Sequence, residues 1–85
     1  MYALDWPDAV LDQLADIWVA ASPDDRDRIG AGIERLNRDL ADDPFEVGES
    51  RDDPYRVTFA AGVTVVFAVR AYTVRVVYVR RRGGP

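Results

Sequence analysis

The spacing of apolar residues at the start of the chain predicts a short β-strand. Tyr2, Leu4 and Trp6 are separated by single residues, and this period of two gives a strand one apolar face. Pro7 ends the strand, because it lacks a backbone N–H, and it suits the first position of a helix. We therefore expect a helix to follow at once.

Apolar residues recur with the period of a helix from about residue 7 to residue 21. The members of this stripe are Val10, Leu11, Leu14, Ile17, Trp18 and Ala21. We expect Trp18 and Trp6 to lie in the core, because each falls on the apolar stripe of its own element.

A second helix is predicted to begin at Ser22 and Pro23, a serine N-cap followed by a proline in the first turn. Its apolar positions are Ile29, Ile33, Leu36 and Leu40. The helix ends before Pro44, since the residue before a proline is disfavoured in the α region. The short connection makes the two helices a hairpin. Gly30 and Gly32 lower helix propensity, which indicates either close packing against a neighbour or a weak point.

Three β-rich runs follow, over residues 55–60, 63–70 and 73–80. Their two-residue connections allow only antiparallel hairpins. The middle run is apolar on both faces, as in a central strand, and a second apolar face is often covered by a partner. Residues 42–54, with two prolines and many charges, are expected to add no strand. The prediction is one α+β domain over residues 1–85: strand, helical hairpin and three-stranded antiparallel meander.

Charge is divided along the chain. All 15 Asp and Glu residues precede residue 54, whereas six of the 11 arginines follow it. Residues 1–54 therefore carry 5 − 15 = −10 and residues 55–85 carry +6, which sum to the net charge of −4. Such a division is typical of a surface that meets an anionic partner. The alternative is a compositional bias, because Asp and Glu are depleted in strands.

Several function classes are disfavoured by composition. The chain has no Cys and no His, so it lacks a disulfide framework and the usual zinc ligands, and we expect neither a metal nor a cofactor. No apolar run approaches the length of about 18 residues that spans a bilayer, and the start of the chain has no signal-peptide pattern. We expect a cytoplasmic protein without a membrane partner.

The element order, the LDWPDA motif at residues 4–9 and the DP and GESR motifs at residues 43–44 and 48–51 resemble the RelE/ParE family of type II toxin-antitoxin toxins. The resemblance covers almost the whole chain. It implies a toxin neutralised by an antitoxin that wraps it with a disordered segment. RelE-like members cut messenger RNA in the ribosomal A site, using basic side chains on the sheet, whereas ParE-like members poison DNA gyrase and lack that basic set.

The position of the family's phosphate-binding arginine is open. Matching YRVTF at residues 55–59 to the family's Tyr-Arg-Leu-Val-Tyr pattern assigns it to Arg56. Counting strands instead places the pattern on the middle strand, where Thr64 takes the arginine's place; the strand count favours this second register. Arg56 would then lie on the preceding strand, and its face is undetermined because a slip of one residue turns a side chain over.

Ribosome-dependent mRNA cleavage, the leading mechanism by family frequency, needs cationic donors around the phosphate and a base near the attacking 2′-hydroxyl. The resemblance implies Arg56 and Arg82 as catalytic candidates, and the need for a base near the basic sheet adds Glu49. Arg51, Arg80 and Arg81 are candidate RNA contacts, because arginine can bind phosphate through two N–H groups. Glu49, or Glu46, is the carboxylate base candidate; its ordinary alternative is an exposed ion pair with Arg51. For residues 80–82 the alternative is a charged strand edge that discourages aggregation.

Three hypotheses follow. An endoribonuclease (mRNA interferase) predicts that Arg56 and either Arg81 or Arg82 converge on one phosphate. A toxin that acts by binding, on DNA gyrase or another target, predicts that the sheet arginines diverge. A degenerate toxin-fold interaction module, with its antitoxin or itself as partner, predicts no growth arrest when the chain is expressed alone.

Overall fold

The computed structural model describes residues 1–82 and confirms the predicted α+β order. A strand, β1 (Ala3–Asp5), leads into helices α1 (Asp8–Ala20) and α2 (Pro23–Asp42). A single 3₁₀ turn (Pro44–Glu46) and a short strand, β2 (Glu49–Ser50), precede the meander. The meander consists of β3 (Tyr55–Ala60), β4 (Val63–Arg70) and β5 (Thr73–Arg81). No helix within residues 1–82 is both long and apolar enough to cross a bilayer.

One sheet contains all these strands, in the order β1-β5-β4-β3-β2. The first strand runs parallel to the last, with Ala3 opposite Thr73, and the remaining pairs are antiparallel. The two hairpin turns lie where the sequence predicts them, and Gly62 takes a positive φ of 79°. The strand with two apolar faces, β4, has hydrogen-bonded neighbours on both sides, as predicted for a central strand.

The expectation that residues 42–54 add no strand was wrong. Glu49 and Ser50 pair with Val57 and Arg56 at the edge of the sheet. Gly48 makes this approach possible: its φ is +65°, and a Cβ at this position would collide with the Val57 carbonyl. Only glycine combines that backbone conformation with so close a contact.

The core lies between the sheet and the helices. Alternate residues of β4 are fully buried, namely Val63, Val65 and Phe67, and they belong to one core cluster with Ile29, Leu36 and Leu40 of α2. A bulge in β5 leaves Val77 without a partner, so Val76 and Val79 both face the core despite their odd spacing.

Helix α2 begins as predicted, with the Ser22 hydroxyl accepting a hydrogen bond from the Asp25 N–H at 3.2 Å. Its two glycines have different surroundings. A Cβ at Gly32 would lie 3.1 Å from the Cβ of Ala61 in the β3–β4 turn, whereas a Cβ at Gly30 would meet nothing within 4 Å. Close packing therefore explains Gly32 and not Gly30.

The expectation that Trp18 lies in the core was wrong. Helix α1 packs on β5 through one edge of its apolar stripe, and Gln13 Oε1 accepts a hydrogen bond from the Val79 N–H at 3.1 Å. The other edge of the stripe lies outside the area that the sheet covers, so Leu11 and Trp18 are each 45% exposed. Trp6 is half-buried against the core, and its Nε1 donates to Asn37 Oδ1 at 3.0 Å.

Substituting alanine at each glycine of α2 tests this packing. Gly30→Ala is expected to raise the free energy of unfolding by up to about 1 kcal/mol, because alanine is the better helix former and the new methyl group meets no neighbour. Gly32→Ala gains the same propensity but crowds Ala61, so it is expected to be the less stable of the two. Urea unfolding measures both; equal gains would contradict the contact between α2 and the turn.

Candidate functional site

The face of the sheet that points away from the helices, here the open face, is the first candidate site. Paired residues share a face, so the strand register assigns its members: Tyr55, Val57, Phe59, Thr64, Val66, Ala68, Arg70, Thr73, Arg75, Val77, Tyr78 and Arg80. These residues alternate with those that face the core. The open face thus combines aromatic and aliphatic side chains with arginines.

Large apolar side chains are exposed on the open face. Phe59 is 51% exposed, and Tyr55 and Tyr78 are exposed to about two-fifths. The small side chain of Ala68 leaves a hollow of about 560 Å³ between Tyr55 and the arginines 70 and 75. Exposed aromatic patches of this kind are typical of surfaces that bind another macromolecule.

Arginines flank this apolar surface at both ends. Arg70 and Arg75 lie at one end, and Arg75 Nε donates to Asp5 Oδ2 at 2.7 Å. Arg80 and Arg82 lie at the other end, and the Arg82 guanidinium sits 4.3 Å from the centroid of the Phe59 ring. Within the described part of the chain, only Arg75 of these four forms an ion pair. The open face is therefore cationic, as the charge division along the chain predicted.

Arg56 lies on the opposite side of the sheet, because it pairs with the core residue Phe67. Its Nε donates to the Val47 carbonyl at 3.1 Å, and its Nη2 donates to the carbonyls of Phe45 and Gly48, each at 3.1 Å. Three of the five guanidinium N–H groups thus hold the loop before β2. A structural role accounts for this arginine without a bound phosphate.

Arg81 also faces the helices. Its Nη2 contacts Asp25 Oδ2 at 3.1 Å, so it ties the end of β5 to the start of α2. Arg56 and Arg81 pair with Phe67 and Val63, four residues apart on β4, which corresponds to about 13 Å along the strand. These two arginines are held by separate partners at opposite ends of the sheet.

The remaining predicted residues lie at the β2 edge or on the open face. Glu49 is opposite Val57 and is therefore the diagonal neighbour of Phe59, a relation that separates residues by about 7–8 Å. Glu49 and Arg51 form no ion pair among residues 1–82, and the Arg51 side chain is exposed. Glu49, Arg80 and Arg82 thus share the open side of the sheet, whereas Arg56 and Arg81 face the helices.

Sequence reasoning overlooked Tyr55, Phe59 and Arg70 as members of the site. Side chains alternate between the two faces of the sheet along β3 and β4. Because Val63 and Val65 are buried in the core, this alternation places Tyr55, Phe59 and Arg70 on the open face. Within residues 1–82 no group of three or more carboxylates is arranged to hold a metal ion.

Two solved structures share this architecture. A chain of the chromosomal ParDE TA system from P. aeruginosa is similar with a TM-score of 0.73 and 17% identity, over 96% of this chain and 97% of that chain. The isolated E. coli RelE toxin is similar with a TM-score of 0.69 and 16% identity, over 100% of this chain and 88% of that chain. No family model and no curated protein matches the sequence. The RelE/ParE fold predicted from the sequence is thereby confirmed.

The role of Arg56 can be measured through stability. Arg56→Ala is expected to lower the free energy of unfolding by about 1–3 kcal/mol, because three backbone carbonyls lose a charged donor. Arg82→Ala is the matched control and is expected to cost no more than about 1 kcal/mol, the value of an exposed cation–π contact. Equal losses in urea unfolding would show that Arg56 does not anchor the loop.

Proposed function

We propose that this protein, which has the fold of RelE/ParE toxins, is the toxin of a type II toxin-antitoxin system and acts by binding a macromolecular target through its open face. An antitoxin neutralises it. The observation that carries the proposal is the open face itself, where exposed aromatic rings lie between two pairs of arginines. Such a surface lowers the solubility of a domain of 85 residues, and a binding role accounts for its presence.

Binding is favoured over RNA cleavage by the positions of the arginines. Cleavage at a 2′-hydroxyl requires several cationic donors around one phosphate. Arg56 is bonded to three loop carbonyls and Arg81 to Asp25, so neither guanidinium is free on the open face. The divergence of these arginines is what the binding hypothesis predicted.

Aromatic and arginine side chains suit a protein target. These residue types dominate the energetics of protein interfaces, because their large flat groups bury much area at a low entropic cost. DNA gyrase, the target of ParE-like toxins, is the candidate that the family resemblance offers.

One arrangement supports mRNA cleavage as a second candidate. The Arg82 guanidinium lies over the exposed ring of Phe59, and Glu49 is the diagonal neighbour of Phe59 in the sheet. A base stacked on that ring would place a carboxylate and a guanidinium near the same nucleotide. In that case Glu49 is the base, Arg82 stabilises the phosphate, and the ribosome with its mRNA is the target.

Expression of the chain alone in a bacterial host tests the proposal. We expect growth arrest with intact transcripts, measured by primer extension, and altered plasmid supercoiling if gyrase is the target. Arg82→Ala is expected to weaken target binding about fivefold or more and so relieve the arrest. The reason is that the variant loses the contact of the Arg82 guanidinium with the target, for which about 1 kcal/mol is typical.

Arg35→Ala is the matched control, because Arg35 is an exposed arginine of α2 and lies away from the open face. The arrest should persist in this variant. If transcripts are cleaved when the wild-type chain is expressed and stay intact with Glu49→Gln, the nuclease candidate is established instead. The absence of any arrest would overturn the toxin proposal.

A further inference from the structure

The hollow on the open face, here the Ala68 hollow, has the size of a binding pocket. Its volume of about 560 Å³ lies within the range of roughly 300–1,000 Å³ that is common for ligand sites. It is lined by Tyr55, Ala68, Arg70, Thr73, Arg75 and Val77. Ala68 is only 6% exposed although it lies on the open face. The larger side chains around it therefore form the walls of the hollow, and its methyl group forms the floor.

The strand register places the members of the hollow in two adjacent rows. Tyr55 is opposite Ala68, and Ala68 is opposite Arg75, so a ring, a methyl group and a guanidinium follow one another across three strands. Arg70 is opposite Thr73. It is therefore the diagonal neighbour of Arg75, a relation that separates residues by about 7–8 Å. Two arginine side chains at this separation can reach one group between them, so the hollow offers an apolar floor beside a pair of donors.

Asp5 on the neighbouring strand β1 orients one of these donors. It lies opposite Arg75 in the parallel pair, and the Arg75 Nε donates to Asp5 Oδ2 at 2.7 Å. In the described part of the chain this is the one side-chain hydrogen bond of Arg75, which leaves its four Nη N–H groups for a ligand. A guanidinium that is already oriented loses less entropy when it binds.

The charges at the hollow suit one carboxylate. Arg70 and Arg75 contribute +2 and Asp5 contributes −1, so the group carries 2 − 1 = +1. A single carboxylate neutralises this charge and can accept two parallel N–H groups from one guanidinium. A chain of phosphates would bring several negative charges close to Asp5, and the net charge of −4 on the whole chain also repels a polyanion. Asp5 therefore favours a ligand with one negative charge.

We propose that the Ala68 hollow binds an acidic side chain of the target protein together with an apolar residue next to it. The inference rests on the proposed function, in which the open face binds a protein target. Arg70 and Arg75 hold the carboxylate, and the apolar residue packs on Ala68 and against the Tyr55 ring. Asp5 sets the preference for a carboxylate over nucleic acid. A walled pocket suits such an anchor, because anchors that fill well-packed pockets dominate the energetics of protein interfaces.

Peptide titrations with the full chain, followed by NMR, test the chemistry of the hollow. The probes are two peptides that are identical except for Phe-Glu or Phe-Gln at their centre, and a short single-stranded RNA. We expect the Glu peptide to bind at least about tenfold more tightly than the Gln peptide, because only the carboxylate forms charge-assisted bonds. It should also bind more tightly than the RNA, and the resonances of the Ala68 methyl group and the Arg70 and Arg75 side chains should shift.

Two kinds of result would overturn this inference. Equal affinities of the two peptides, or tighter binding of the RNA, would overturn the assignment of a carboxylate ligand. Shifts confined to residues outside the hollow, or no binding of any probe, would overturn the site.

Substitutions at the hollow separate charge from shape. Arg70→Gln is expected to lower the affinity for the Glu peptide at least about tenfold, whereas Ala68→Leu should weaken both peptides because its side chain fills the floor. Asp5→Asn should strengthen RNA binding about twofold to fivefold, since one repelling charge is removed; unchanged RNA binding would show that Asp5 does not set the preference. Arg35→Gln is the matched control, an exposed arginine of α2 away from the open face, and should leave all affinities unchanged. Circular dichroism and urea unfolding check that each variant folds.

Growth assays separate this inference from the proposed function. If the wild-type chain arrests growth, Arg70→Gln should relieve the arrest and Arg35→Gln should not. Full arrest by Arg70→Gln would exclude the hollow from the target interface while leaving the toxin proposal intact. If the wild-type chain causes no arrest, the toxin proposal is overturned, and the peptide titrations alone decide whether the hollow binds a carboxylate.

Discussion

The burial of one face of β4 beneath the helices decides which surface every other residue occupies. Val63, Val65 and Phe67 are completely buried against the helices, as is Leu40, and β4 is paired on both sides. A slip of one residue would place Thr64 and Arg70 in the core, at the cost of burying a charge without a partner. Because β3 and β5 take their register from β4, this hydrophobic contact also determines which arginines reach the open face.

The division of charge along the chain becomes a division between two sides of the molecule. The acidic segment folds into the hairpin, where Asp12 and Glu34 are exposed, and the basic segment folds into the sheet that the hairpin covers. The ion pair between Arg81 and Asp25 joins the two parts. The outer side of the hairpin and the open face are consequently distinct surfaces of opposite charge.

Sequence periodicity predicts most of the fold, since two-residue turns, the Ser22 cap and the helical spacings are local signals. It cannot assign the face of Arg56: both faces of β4 are apolar, so the pattern does not reveal which one meets the helices. The strand of Glu49 and Ser50 cannot be predicted from the sequence either, because it depends on the close approach of Gly48 to β3. Trp18 was misplaced because an apolar stripe can be wider than the surface that covers it.

The parallel pairing of β1 with β5 has a consequence for the order of events during synthesis. Residues 3–5 find their only strand partner about 70 positions later, at residues 73–75, so the sheet remains incomplete until almost all of residues 1–82 have been translated. Contacts between such distant segments slow folding, because a large loop must close first. The open face is therefore assembled only after β5 has been translated.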